Sequence, residues 1–151
     1  MKKFLTLIAT SLLMTVAAFA QEARNSSADN ILGKYYINHE GEESKVVCTK
    51  NSDGTYKFQT YWCKNMYDKN GNINLDTKNP DKSLRNTPCN KMVIMPGLTY
   101  YPDKKCWKGK IYDPTRGITA NATVQFKDNK LNVRGSLLGI GMTVVWEPIN
   151  E

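Results

Sequence analysis

The sequence predicts an all-β fold, an eight-stranded antiparallel up-and-down barrel built from one domain. Late in the chain, apolar and polar residues alternate with period two. Ala120, Ala122, Val124 and Phe126 fall on one face, and Thr119, Asn121, Thr123, Gln125 and Lys127 on the other, the mark of an antiparallel sheet covered on one side. Eight strand-like segments succeed one another, most joined by short turn signals such as Asn51-Ser52-Asp53-Gly54 and Asp128-Asn129. After the N-terminal leader, no ten-residue stretch carries helical periodicity. Consecutive hairpins admit a barrel or a sandwich, and closure removes the edge strands, which favours the barrel.

At the N-terminus, Lys2 and Lys3 precede an apolar run from Phe4 to Ala18, and Ala18-Phe19-Ala20 then offers a small-x-small cleavage site. Residues 1–20 therefore read as a cleavable signal peptide, too short to span a membrane. They place the protein outside the cytoplasm, in the periplasm or beyond the cell. Residues 21–30 are polar and are expected to be a disordered tether, with the barrel in residues 31–151. Strands are expected over 32–39, 43–49, 55–64, 91–98, 106–113, 119–127, 130–136 and 141–148. Tyr56, Phe58 and Trp62 share one face of the third strand, and Trp107 and Ile111 one face of the fifth. In the seventh, Leu131 and Val133 oppose Lys130, Asn132 and Arg134. In the eighth, Met142, Val144 and Trp146 alternate with Thr143, Val145 and Glu147. Between the third and fourth strands, residues 65–88 form a long polar insertion. Long loops inside compact domains tend to be functional or mobile, and a lid over the barrel is the expected role.

Lys2 and Lys3 are two of the chain's 21 basic residues, and the leader holds none of its 14 acidic ones, so removing it lowers the net charge from +7 to +5. The excess is scattered, densest at Lys104, Lys105, Lys108 and Lys110, rather than blocked as nucleic-acid binding would favour. No nucleic acid, cofactor or metal is expected. All four cysteines, Cys48, Cys63, Cys89 and Cys106, lie after the leader. In an exported chain they imply two disulfides. Three pairings are open. A hairpin would bring Cys63, at the end of the third strand, to Cys89, before the fourth, which leaves Cys48 for Cys106.

Several motifs resemble an established family. Asp76-x-x-Asn79-Pro80-Asp81-x-x-Leu84-Arg85-x-x-Pro88 is followed by Trp107-x-Gly109-Lys110-Ile111-Tyr112-Asp113-Pro114-x-x-Gly117. Leu131-x-Val133-Arg134-Gly135 and Thr143-x-x-Trp146 come after. Over residues 31–148 the chain is similar to the exported bacterial proteins grouped as domain of unknown function 2147. The resemblance implies a barrel of lipocalin-like topology and no established activity. Members often open with Gly-x-Trp, where this chain has Gly33-Lys34-Tyr35, and Cys63 and Cys89 fall where similar proteins often carry cysteines.

Candidate chemistry is sparse. His39 is the sole histidine and no Gly-x-Ser-x-Gly elbow exists, which leaves a Ser-His-Asp constellation without its parts. A glycosidase needs two spaced carboxylates, and Asp113 with Asp76 or Asp81 could supply them, although Asp113-Pro114 is also ordinary turn chemistry. Asp68-x-Asn70-x-Asn72-x-Asn74-x-Asp76 resembles a calcium loop but lacks Gly at its sixth position and Glu at its twelfth. Tyr56, Phe58, Trp62, Trp107 and Trp146 are expected to line the lumen and bind a ligand, since barrels of this size either fill or hold one small molecule. The favoured reading is a monomeric, non-enzymatic binding protein for a small apolar or amphiphilic ligand. Its rivals are a filled, structural barrel and a carbohydrate-active enzyme.

Overall fold

A computed structural model describes Phe19 and residues 22–150, so the signal-peptide expectation otherwise lies outside the described residues. Eight antiparallel strands close into a barrel in sequential order. They are β1 (Gly33–His39), β2 (Glu42–Lys50), β3 (Tyr56–Cys63), β4 (Val93–Tyr101), β5 (Cys106–Asp113), β6 (Ile118–Lys127), β7 (Lys130–Leu137) and β8 (Ile140–Ile149). β8 returns to β1 through Lys34 opposite Ile149 and Tyr36 opposite Glu147, so the expected closure is present. The late strands keep the predicted alternation, with Ala122, Val124, Phe126, Leu131, Val133 and Trp146 all buried in one core.

The inner face changes character along the barrel axis. At the end carrying the β2–β3, β4–β5 and β6–β7 turns, Tyr35, Tyr56, Phe58, Leu98, Trp107, Phe126 and Leu131 are fully buried. Phe58 meets Trp146 edge-on with ring centres 5.3 Å apart, and Trp107 meets Phe126 likewise at 6.0 Å, the arrangement that aligns ring edges with π faces. Toward the opposite end the inward positions shrink to Ala120, Gly135, Ser44 and Thr60. One half of the barrel is thus packed solid and the other is hollow.

The segment expected to be a disordered tether instead caps the packed end. Asn25 is buried and clamps the Phe126 peptide from both sides. Its amide donates to the Phe126 carbonyl at 2.8 Å, and its carbonyl accepts the Phe126 N–H at 2.7 Å. Tyr100 donates its hydroxyl to the Asn25 carbonyl, Trp107 its indole N–H to the Ala28 carbonyl, and Tyr35 its hydroxyl to the Ile31 carbonyl. Ile31, ending the 3-10 turn Ala28–Ile31, is wholly buried. Buried aromatics with polar tips need partners, and this segment supplies them. Its polar composition suggested a loose chain, but the partners it satisfies lie across the barrel and cannot be read from neighbours in sequence.

β4 also departs from expectation, running from Val93 to Tyr101 after a 3-10 turn at Cys89–Lys91. Pro96 has no N–H to give to a ladder, and the β3–β4 register shifts twice around it. Next to it β5 comes unusually close: a Cβ on Gly109 would lie 2.5 Å from the Gly97 carbonyl oxygen. We expect Gly109→Ala to force these strands apart and to lower stability by about 1–3 kcal/mol, the usual cost of overpacking. Gly97→Ala, which meets only Thr55 Oγ1 at 3.2 Å, should cost less. Thermal melts of the two variants check the order.

Candidate functional site

The hollow half of the barrel forms a cavity of about 1030 Å³. Its wall is the inner face of the tapered strands: Ile37 of β1, Ile94 of β4, Ile111 of β5, Val133 of β7 and Val144 of β8, with Met92 beside them. Trp146 lies on its floor, 2% exposed and backed by Phe58. The lining continues out to the β1–β2, β5–β6 and β7–β8 turns, which form the mouth. The rim is polar and carries both signs of charge. Glu40, Glu42, Glu43 and Asp113 stand with His39, Lys78 and Arg116, and Arg116 approaches Glu40 at 3.4 Å and Asp113 at 3.8 Å. An apolar chamber with polar groups at its entrance is the usual form of a small-molecule site.

The long insertion closes one side of this mouth. It leaves β3, folds back on itself through bridges of Tyr67 with Ile73 and Leu75 with Pro88, and is fastened to β5 and to the β5–β6 turn. Asp76 is buried; its carboxylate accepts the Tyr112 hydroxyl at 2.6 Å and the Asn79 amide at 2.7 Å. Burial first, and then this bond to Asp76, raises the Tyr112 pKa and keeps the phenol protonated. Arg85 Nε donates to the Asn79 carbonyl, and Lys78 Nζ to the Thr115 carbonyl at 2.6 Å. Gly117, at φ +67°, is required here because a side chain would strike the Lys78 carbonyl. Leu75, Asp76, Thr77 and Lys78 thereby become part of the cavity wall.

Of the five aromatic residues expected to line the lumen, Trp146 faces the cavity, while Tyr56, Phe58 and Trp107 belong to the solid half. Trp62 is on the wrong side of the wall altogether. Lys45 pairs with Trp62 but Val46 with Thr60, so Tyr61 is an extra residue in β3. Such a bulge reverses the parity of the strand beyond it. Trp62 then faces outward beneath Lys45, whose Nζ lies 5.5 Å from the ring centre, and Cys63 turns inward to the cavity in its place. The apolar side chains that do line it are, apart from Trp146, medium and small ones, and polar residues make up the rest of the lining. Their signal in the sequence is the decline in size along β6, from Phe126 through Val124 and Ala122 to Ala120, and along β7, from Leu131 through Val133 to Gly135.

All four cysteines are thiols in this structure. Cys63 and Cys89 share the cavity wall, and Cys89 Sγ donates to the Met66 carbonyl at 3.8 Å; burial, then the neighbouring Cys89 thiol, pushes the Cys63 thiol up to about 12. The Cys48–Cys106 pairing is corrected by the geometry. Cys48 belongs to the inner core, whereas Cys106 stands outside that cluster, next to inward-facing Trp107 and opposite exposed Tyr101. Neighbours on a strand point to opposite faces, so the wall separates Cys106 from Cys48. The carboxylates likewise have local duties. Asp113 accepts from Thr115 N–H and Oγ1 in the β5–β6 turn, Asp81 caps the 3-10 turn at Lys82–Leu84, and Asp68 takes the Asn70 and Asn72 amides. Among the described residues, no group of three or more His, Cys, Asp or Glu could hold a metal ion.

Residues 33–147 match the family described as "Uncharacterized protein conserved in bacteria (DUF2147)". Among solved structures, the chain is similar to protein HP1028 from the human pathogen Helicobacter pylori, described as belonging to the lipocalin family. The TM-score is 0.64 at 23% identity, over 80% of this chain and 84% of that one. The likeness is one of fold. No curated protein matches the chain.

The Asp76–Tyr112 bond is the fastening most exposed to test. Tyr112→Phe leaves a buried carboxylate oxygen without its donor and should cost about 1–3 kcal/mol, felt as release of the insertion. Limited trypsin digestion should cut faster at Lys78, Lys82 or Arg85, with little change elsewhere. Equal cleavage in the variant and the parent protein would show that the bond does not hold the loop.

Proposed function

The chain belongs to the DUF2147 family, and from that premise and the shape of its interior we propose that it is a binding protein for one small apolar or amphiphilic molecule. The cavity carries this reading: its mouth is closed on one side by the insertion, it is floored by Trp146, and its wall presents aliphatic side chains. Its size, about 1030 Å³, stands at the upper limit of the 300–1,000 Å³ usual for small-molecule sites. The apolar tail of the ligand would lie against Ile37, Ile94, Ile111, Val133 and Val144, and its polar end would stay at the rim near His39, Arg116 and Asp113. The Ala18-Phe19-Ala20 site supports export to the periplasm or the outside. The closed barrel needs no second copy to complete its site.

At about 0.8 kcal/mol per buried methylene, a ten-carbon chain has a gross transfer energy near 8 kcal/mol. Association and ordering remove several of those, so micromolar affinity is the expectation. Three tryptophans report separately, because Trp62 lies outside, Trp107 in the solid half and Trp146 on the cavity floor. Titration with acyl and aromatic ligands should change the fluorescence, and Trp146→Phe should abolish most of that change. Val133→Trp, which fills the chamber, should weaken binding at least tenfold. A folded protein that binds none of these ligands by fluorescence or calorimetry would instead favour a structural barrel.

The adjacent Cys63 and Cys89 thiols support a second reading, that in an oxidising compartment they join and staple the base of the insertion. Non-reducing peptide mapping of the exported protein should link Cys63 to Cys89 and leave Cys48 and Cys106 free. A linkage of either to Cys48 or Cys106 would refute it.

A further inference from the structure

The β7–β8 hairpin breaks two local rules at once. Its turn places Leu138 at φ +52° and Gly139 at φ +80°, a backbone that suits Asn, Asp or Gly and strains a leucine. The β6–β7 turn, with the same geometry, uses Asp128 and Asn129. Leu138 is also 94% exposed, and beside it Ile140 is 80% and Leu137 45% exposed. Packing within the fold does not account for Leu138 at this strained, exposed position, and exposed apolar patches of this kind mark interaction sites.

We propose that this tip is a wedge that inserts into a lipid bilayer presenting anionic headgroups. Two observations select that partner. The tip is one two-residue turn wide, far short of the roughly 800 Å² per side that a stable protein interface buries, yet it is the right shape to enter an acyl layer. Arg134, on the outer wall of β7, is exposed, and its guanidinium would lie 2.5 Å from a Cβ at Gly141, at the foot of the tip; Lys110, also exposed, stands farther round the wall on β5, across β6, where Asn121 accepts from it. Both can reach headgroup phosphates while Leu138 is buried. The acidic rim residues Glu40, Glu42 and Glu43 flank the other side of the hairpin, because β1 is the neighbour of β8, and Glu40 and Glu43 are neutralised by pairing with Arg116 and Lys64. Leu137 and Ile140 also line the cavity mouth, so an inserted tip would set that mouth against the acyl layer. Docking does not depend on the barrel holding a ligand.

The test is co-sedimentation of the leaderless protein with vesicles of phosphatidylethanolamine and phosphatidylglycerol, against vesicles of phosphatidylcholine alone. The parent protein should sediment with the anionic vesicles. Leu138→Asn, which relieves the turn and lies outside the cavity wall, should weaken partitioning about tenfold or more while the melting temperature holds or rises. Lys110→Gln with Arg134→Gln should remove the preference for phosphatidylglycerol. Failure of the parent protein to sediment, or equal sedimentation of Leu138→Asn, overturns the proposal. So does a concentration-dependent dimer that Leu138→Asn abolishes without vesicle binding, which would assign the tip to a second copy.

Discussion

The aromatic layer across one end of the barrel is the constraint on which the rest depends. An eight-stranded barrel has an interior that side chains can just fill, and here the filling is concentrated. Tyr35, Phe58 and Trp146 form one run of tilted and edge-on rings, and Tyr100, Trp107 and Phe126 form another, burying large apolar areas on six strands near one level. That layer fixes the register of the wall around it. It also creates a demand, because Trp107, Tyr35 and half-buried Tyr100 bring N–H and O–H groups into or beside the apolar interior. The segment before β1 answers it, and Asn25 adds a two-bond clamp on Phe126. Arg24 lies over the Phe126 ring, 4.0 Å from its centre. Capping and core are one cooperative unit.

Because stability is concentrated there, the opposite end need not be filled. Small residues at Ala120, Gly135, Ser44 and Thr60 leave the chamber open, a sacrifice of packing that a solid barrel would not make. The base of the insertion packs Met66 and Ile73 against the core, and its outer part over the mouth is held by a few polar bonds: Asp76 with Tyr112 and Asn79, Lys78 with Thr115. Segments tied down in this way open at lower free energy than core strands. A rigid floor and a more readily released roof suit a site that must admit and retain a molecule.

The two ends of the barrel therefore use polarity in opposite senses. At the packed end, buried polar groups are satisfied internally and lock the chain. At the mouth, charges are exposed and paired across turns, and apolar residues reach the surface at Leu137, Leu138 and Ile140. The strain carried by Leu138 is small, but it is placed where the chamber meets the outside.

The sequence by itself determined the architecture. Alternation in β6, β7 and β8, turn residues at hairpin spacing and the family motifs led to eight antiparallel strands and closure, because period two and turn chemistry are local properties. It also marked Trp146 as inward and the 65–88 insertion as a segment set apart from the strands. Only the tertiary structure decided the site. Trp62 kept the correct parity in the sequence, and one bulge residue at Tyr61 sent it outside, a defect visible only in the pairing with β2. Tyr56, Phe58 and Trp107 face inward as read, yet whether an inward residue fills the barrel or lines a chamber depends on its level along the axis, which strand stagger sets. Cys48 and Cys106 were separated by the same wall that the strand pattern predicted. Asn25 looked like tether because its partner, Phe126, is 101 residues away. Period and turn type are encoded in neighbours; occupancy, facing and capping come from contacts that exist only once the barrel has closed.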